Sequence, residues 1–292
     1  MNRFTITDIE NLTGIKAHTL RVWEQRYQLN LCQRKDGGHR FYDSEDLKKI
    51  LRIAVLYKKG FRISEMASLS NEQLIAYTLQ EQYGGEQEQA IHQLLEAVMA
   101  FDQEKFNEIF HRLVVHMGLE KVMLTVVYPL LNLIGKRWLT DRLVPAQEHF
   151  CSELIIKKIL LATDGLDTVL LPGRKNLVVF TPLGETHEIP VLFMHYLLRK
   201  NGHHSVYIGK NLPLEIVLEY CFRHPPSHLY FHLITQLGPN NPVSYLKELQ
   251  KSLPAAKIVC SGPGISPDIA ASIDTIKCLK DAAEMMQFAR SN

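Results

Sequence analysis

The sequence predicts a multidomain chain, helical in its first half and α/β in its second. Three observations carry that prediction. Apolar residues at helical spacing dominate up to about residue 164. From residue 176 onward, strand signals near 176–180, 204–208, 228–234, 257–261 and 274–278 alternate with helical ones near 190–201, 213–222, 241–252, 266–271 and 279–290. Charge is uneven as well: the first 62 residues hold thirteen Lys and Arg against seven Asp and Glu, although the whole chain has a formal charge of only +2. That asymmetry points to a polyanion partner for the amino-terminal part alone.

The basic segment reads as a small helical head. Thr7-Asp8-Ile9-Glu10 has the pattern of a capping box, and Thr13-Gly14 ends that helix almost at once. A second helix is expected from about Lys16 to Tyr27, with Leu20, Trp23 and Tyr27 on its buried side. Helix, glycine turn, helix is the helix-turn-helix plan, in which the second helix enters the major groove. Lys16, His18, Thr19, Arg21, Gln25 and Arg26 occupy the opposite face and suit phosphates and base edges. Asp36-Gly37-Gly38 then signals a hairpin, and basic residues on both of its arms make it a wing able to touch backbone phosphates. Asp43 is expected to cap a third helix carrying Leu47, Ile50, Leu51, Ala54 and Val55, and a fourth opens at Phe61-Arg62-Ile63-Ser64.

These residues carry a resemblance. Ile6-Thr7-Asp8-Ile9, Thr13-Gly14-Ile15, the run Thr19 to Tyr27 and the segment Gly38-His39-Arg40-Phe41-Tyr42 resemble the MerR family of winged-helix regulators over about the first 75 residues. The resemblance implies that Arg21, Arg26, Arg40 and Tyr42 face DNA. Many members of that family dimerise through one long carboxy-terminal coiled coil. Here the helical pattern breaks at Gln82-Tyr83-Gly84-Gly85-Glu86-Gln87, a linker-like stretch. The expected division is a head over 1–75, a linker over 76–87, a helical domain over 88–166 and an α/β domain over 175–292.

Four helical stretches, roughly 86–99, 102–116, 119–137 and 144–164, are joined by short breaks and predict a four-helix bundle. Trp138 closes the third, and Pro145-Ala146-Gln147-Glu148-His149 opens the fourth. The five βα units that follow suggest a flavodoxin-like, Rossmann-type parallel sheet of five strands, with a ligand crevice at the carboxyl ends of the strands. The first strand, Leu177-Val178-Val179-Phe180, runs into Gly184-Glu185-Thr186-His187 and places His187 at that crevice. Gly209-Lys210-Asn211 and Ser261-Gly262-Pro263-Gly264 are read as further rim loops.

The bundle and sheet together resemble the cobalamin-binding module of light-sensing MerR repressors, the CarH/LitR type. Gly184-Glu185-Thr186-His187-Glu188-Ile189 is similar to that branch's cobalamin motif, and Trp138 followed by Glu148-His149 is similar to its bundle signature. The resemblance implies that His187 is the metal ligand, holding cobalt from below. It implies that Trp138, Glu148 and His149 cover the upper face of a cofactor, with adenosylcobalamin the expected form, and that Glu185, Ser261 and Gly262 join the cofactor site. Four residues depart from the pattern. Pro190 stands where the motif normally ends in glycine, His232 lies near where a serine lines the slot for the nucleotide tail, and Ser261 replaces one glycine of a pair there. Each adds volume at a close approach. Leu139 stands where light-sensing members carry a histidine, and a leucine cannot ligate cobalt.

Composition narrows the function classes. No uninterrupted apolar stretch reaches the roughly 18 residues that a membrane span needs. The five cysteines lack any CxxC spacing, and Met1-Asn2-Arg3-Phe4 leads into a helix signature rather than an apolar leader, so a reducing cytoplasm is the expected compartment. The chain holds no P-loop, HExxH or Gly-x-Ser-x-Gly motif. The reading is therefore a non-enzymatic regulator that binds a double-stranded DNA operator, forms a homo-oligomer (dimer or tetramer) and takes cobalamin in its carboxy-terminal module. Two alternatives stand beside it: the same regulator with a cobalamin-free sensor governed by another ligand or a protein partner, and a cobalamin-carrying subunit of a methyltransferase or mutase.

Overall fold

The computed structural model describes residues 4–13, 15–27, 29, 32–34, 40–58, 60–79, 86–139, 143–167, 173–234, 242–265 and 276–291. They divide into two compact units, 1–153 and 154–292. Of the expected linker at 76–87, residues 76–79 and 86–87 are helical and 80–85 lie outside the described residues, as do the tip of the wing at 35–39 and the helix predicted at 266–271. No single helix among those described is long and apolar enough to cross a membrane.

The first unit opens with α1 (Ile6–Thr13) and α2 (Ala17–Tyr27), the expected helix-turn-helix pair. The capping box sits two residues earlier than the sequence suggested: Asp8 N donates to Thr5 Oγ1 at 3.2 Å, and Thr5 N donates to Asp8 Oδ2 at 2.7 Å. Glu10 serves the next helix instead, accepting from Ala17 N at 3.0 Å. The arms β1 (Gln33–Arg34) and β2 (Arg40–Phe41) pair antiparallel. Then come α3 (Ser44–Lys58), α4 (Ile63–Ala67) and α5 (Asn71–Leu79). Asp43 caps α3 as expected, accepting from Glu45 N and Asp46 N, each at 2.9 Å. Ile9, Leu20, Trp23, Ile50 and Ile53 form the core of this head.

Helices α6 (Glu86–Met99), α7 (Gln103–Met117), α8 (Leu119–Val122), a π-helical turn (Met123–Val127), α9 (Tyr128–Leu139) and α10 (Pro145–Asp164) occupy the four predicted stretches. The third stretch is one continuous run interrupted by the wider π turn, a local irregularity that hydrophobic spacing does not reveal. Leu94, Val98, Phe106, Val126, Leu130 and Ile134 are buried among these helices. The head and α9 are in contact, because α3 and α5 both pack on it. The boundary between the two units falls within α10, so only its first half belongs to the first unit.

The second unit is built on β3 (Asn176–Pro182), α11 (Ile189–Lys200), β4 (His204–Leu212), α12 (Leu214–Arg223), β5 (His228–His232), α13 (Pro242–Ser252), β6 (Lys257–Ser261), β7 (Ile276–Leu279) and α14 (Ala282–Arg290). Its five strands are all parallel in the order β4-β3-β5-β6-β7. That order reverses at β3, which makes the carboxyl end of β3 a topological switch point. Val178, Phe180, Leu229, Phe231, Ile258 and Cys260 line one face, against α12 and α13; α11 covers the sheet together with α14. Gly209-Lys210-Asn211 is not a loop. It lies in β4, which outlasts the predicted strand by four residues through two register shifts against β3.

Candidate DNA-binding and cofactor sites

On α2 the apolar stripe turns Leu20 and Trp23 into the head core. His18, Arg21, Gln25 and Arg26 are exposed beside it, and Thr19 is half-buried. Lys16, just ahead of the helix, is also exposed and pairs with Glu10 at 3.0 Å. Arg40 stands opposite Arg34 on the hairpin, with its side chain outside the described residues. One expectation for the DNA-facing surface changes. Tyr42 is 0% exposed: its backbone bridges Phe4, which turns the ring inward, and its hydroxyl donates to Glu24 Oε1 at 3.5 Å. It is a core residue rather than a DNA contact. Arg52, counted in the basic excess, is buried as well. Its Nε donates to the Leu139 carbonyl and its Nη1 to Asn71 Oδ1 at 2.9 Å.

Within the same unit, Trp138 packs half-buried against the head core. Glu148 and His149 lie on the first turn of α10, where His149 is exposed and its Nδ1 is 3.4 Å from Glu148 Oε2. Ser152 donates to the other Glu148 oxygen at 3.0 Å.

In the second unit the switch point is assembled residue by residue. Beyond β3, Gly184 turns the chain with φ +91°, a conformation that glycine adopts without strain. Asn211 of β4 fastens this turn from the side. Its Oδ1 accepts from Gly184 N at 2.8 Å, and its own N–H donates to Thr181 Oγ1 at 2.8 Å. The Thr181 hydroxyl donates onward to the Glu185 carbonyl at 2.7 Å. Glu185 is thereby held with its carboxylate buried. One oxygen accepts from Ile234 N at 2.7 Å, and the other accepts from His187 N at 2.9 Å and lies 2.5 Å from His187 Nδ1. The His187 ring is half exposed. Leu183 and Ile234, both exposed, stand on either side of this pair in the chain and give the rim an apolar character. Pro190 starts α11 without disturbing it, near the helix end where the lost N–H is harmless.

Ser261 and Gly262 belong to an adjoining network. The Ser261 hydroxyl lies 2.6 Å from the Tyr230 hydroxyl and 2.7 Å from His232 Nδ1. Burial depresses His232 to about 4; the Glu185 carboxylate works against that shift and His187 adds to it. The ring is therefore neutral near pH 7. It rests directly on Gly262, whose φ is +99° and where an added Cβ would lie 2.2 Å from the Leu233 carbonyl and 2.8 Å from His232 Nε2. Sequence reasoning misses Tyr230, and it places Asn211 in a rim loop and His232 near the tail slot without their partners. These contacts belong to no local motif, since they join strands that meet only in the sheet.

A buried carboxylate holding one nitrogen of a half-exposed imidazole is the arrangement that orients histidine ligands in metal sites, because it sets the tautomer and raises the basicity of the other nitrogen. Among the described residues no three His, Cys, Asp or Glu converge to hold a bare ion. A single oriented imidazole beside an apolar rim would suit a metal carried within an organic cofactor.

Comparison with known proteins finds family matches to the head and to the helical segment that follows it. Residues 4–73 match the model for the MerR HTH family regulatory protein, and residues 90–161 match that for the B12 binding domain. The chain thus carries the two parts of a cobalamin-binding transcription regulator. It is homologous to two repressors of Myxococcus xanthus. The HTH-type transcriptional repressor CarH is 23% identical over 258 residues, 86% of this chain and 85% of CarH. The HTH-type transcriptional repressor CarA is 24% identical over 261 residues, 89% of this chain and 86% of CarA. In fold alone, the monomethylamine corrinoid protein of Methanosarcina barkeri covers 70% of this chain and 98% of its own at a TM-score of 0.54 and 14% identity.

Proposed function

We propose that this protein is a cytoplasmic transcriptional regulator that binds operator DNA through α2 and the hairpin, and binds cobalamin, in its adenosyl form, through the carboxy-terminal module. The Glu185–His187 pair is the single observation that carries the sensor half. Its Nδ1 lies against the carboxylate, and His187 would be the residue that holds the metal. Cobalamin, when bound, would supply a cobalt ion. Glu185 would orient the imidazole, Leu183 and Ile234 would offer apolar contact to the cofactor, and Trp138, Glu148 and His149 would contribute to holding it. Trp138 packs against the head core, which would link cofactor binding to the DNA-binding domain. A head arrangement or oligomer that binds the cofactor more tightly would be favoured by it, since a ligand shifts an equilibrium only by differential affinity. This reading makes the protein a regulator rather than a catalytic subunit.

Purified protein mixed with adenosylcobalamin in dim light and passed through a desalting column tests it. Cobalt-corrin absorbance should co-elute with the wild type and be lost with His187→Ala. A colourless wild-type fraction at saturating cofactor would overturn the sensor half. One observation favours a second reading, the same regulator with a cobalamin-free sensor: His232 already occupies the space against Gly262. The colourless outcome would support that version.

A further inference from the structure

Two of the five cysteines stand opposite each other in the sheet. Cys260 of β6 pairs in register with Cys278 of β7. Both face the core shared with α12 and α13, Cys260 fully buried and Cys278 half-buried, and both are free thiols. Neighbouring strands run about 4.8 Å apart, within the roughly 4.4–6.8 Å Cα separation that a disulfide spans. We propose that Cys260 and Cys278 form a redox-active dithiol, which a hydroperoxide converts to a cross-strand disulfide.

The two thiols are unequal in a way that suits this chemistry. Hydrogen bonding from Cys260 holds the Cys278 thiol below its ordinary range, with Lys280 assisting and burial and Glu284 opposing. The Cys260 thiol is correspondingly raised. Elsewhere burial pushes Cys151 up to about 12 and Cys221 to about 11, so neither competes as a nucleophile. β7 is the last strand in the sheet order. It can close on β6 without distorting a second strand ladder among the described residues. The bond would form one residue before Ser261, which is held by Tyr230 and His232.

The reaction balances in two steps. The Cys278 thiolate attacks one oxygen of the hydroperoxide and the O–O bond breaks; the departing oxygen takes a proton and leaves as alcohol or water, and Cys278 becomes a sulfenic acid. The Cys260 sulfur then attacks the Cys278 sulfur, the S–S bond forms, and the S–O bond breaks with release of water that carries the Cys260 proton. Each cysteine sulfur loses one electron, and the peroxide bond takes the pair.

The test uses the full-length reduced protein treated with hydrogen peroxide, alkylated with N-ethylmaleimide and mapped by peptide mass spectrometry. Two of the five thiols should be lost, one cross-linked species should join the Cys260 and Cys278 peptides, and dithiothreitol should restore all five. Cys260→Ser should trap the intermediate as a dimedone adduct on Cys278, and Cys278→Ser should give neither adduct nor cross-link. Five alkylated thiols after peroxide, a cross-link between any other pair, or a dimedone adduct on another cysteine in Cys260→Ser would overturn the proposal. The wild-type map alone decides between the first two outcomes and the proposal if a variant fails to fold.

Discussion

Glu185 engages the Ile234 N–H with one carboxylate oxygen and His187 with the other, so its charge is useful only while both contacts persist. Glu185→Gln keeps the size but weakens the hold on the imidazole, and cobalamin affinity should drop about 10–100-fold, the usual cost of losing such an orienting partner. Spectroscopic titration measures this, and unchanged affinity would show that the carboxylate is structural only. In the head, Arg21 is exposed on α2 and available to phosphate. Arg21→Ala should weaken operator binding and lower the slope of log K against log salt by about 1. Titrations at several salt concentrations check it, and an unaltered slope contradicts a phosphate contact. The sequence made His187 legible because strand, glycine turn and histidine are adjacent in the chain. It misplaced Tyr42, because the bridge to Phe4 that turns the ring inward joins residues far apart in sequence.

At the scale of the element, the loop after β6 has no room to spare. Gly262→Ala would place a methyl group 2.2 Å from the Leu233 carbonyl at a φ of +99°. The second unit should lose about 1–3 kcal/mol of stability through strain and forced displacement of His232. Chemical denaturation reads this, and an unchanged midpoint would mean that the loop relaxes freely. Helix α11 supplies a second prediction. His195 bonds Ser205 Oγ at 2.8 Å and is held down to about 4, chiefly by burial, with Arg199 adding to the shift and Asp164 opposing it. Below an unfolded value near 6.5 the unfolded chain binds the extra proton, so the stabilisation is present above that pH and is lost as pH falls toward 4. His228 and His232 are depressed to about 4 as well. The melting temperature of the second unit should decline between pH 6.5 and 4, and less steeply in His195→Gln; a flat profile would contradict it. Element types were readable from periodicity, but some ends were not. Thr5/Asp8 and Thr7/Glu10 share the same three-residue spacing, and contacts with α2 engage Glu10 elsewhere. β4 outran its apolar run because the pairings of Asn211 hold it against β3.

For the whole molecule, the order of parts was legible: a basic helical head, a set of helices, then a sheet of order β4-β3-β5-β6-β7. Alternation of strand and helix together with right-handed crossover permits few other topologies. What the sequence could not show was that the head and α9 share a core. Trp138 and the Arg52–Leu139 contact join residues more than eighty positions apart. This junction carries the proposed coupling. Trp138→Ala should leave DNA affinity in the absence of cofactor within a few fold while abolishing the change on adding cobalamin; gel-shift assays with and without cofactor measure both. A variant that keeps the full cofactor response would remove Trp138 from the coupling.

The Arg52 contact also bears on how such regulators can be recombined. A head cut away after α5 and grafted onto a foreign sensor would strand a buried guanidinium that had met the Leu139 carbonyl, and would bare the apolar surface that Trp138 covers. The portable piece is therefore longer than the motif that recognises DNA. It includes α9, whose Trp138 and Leu139 meet the head.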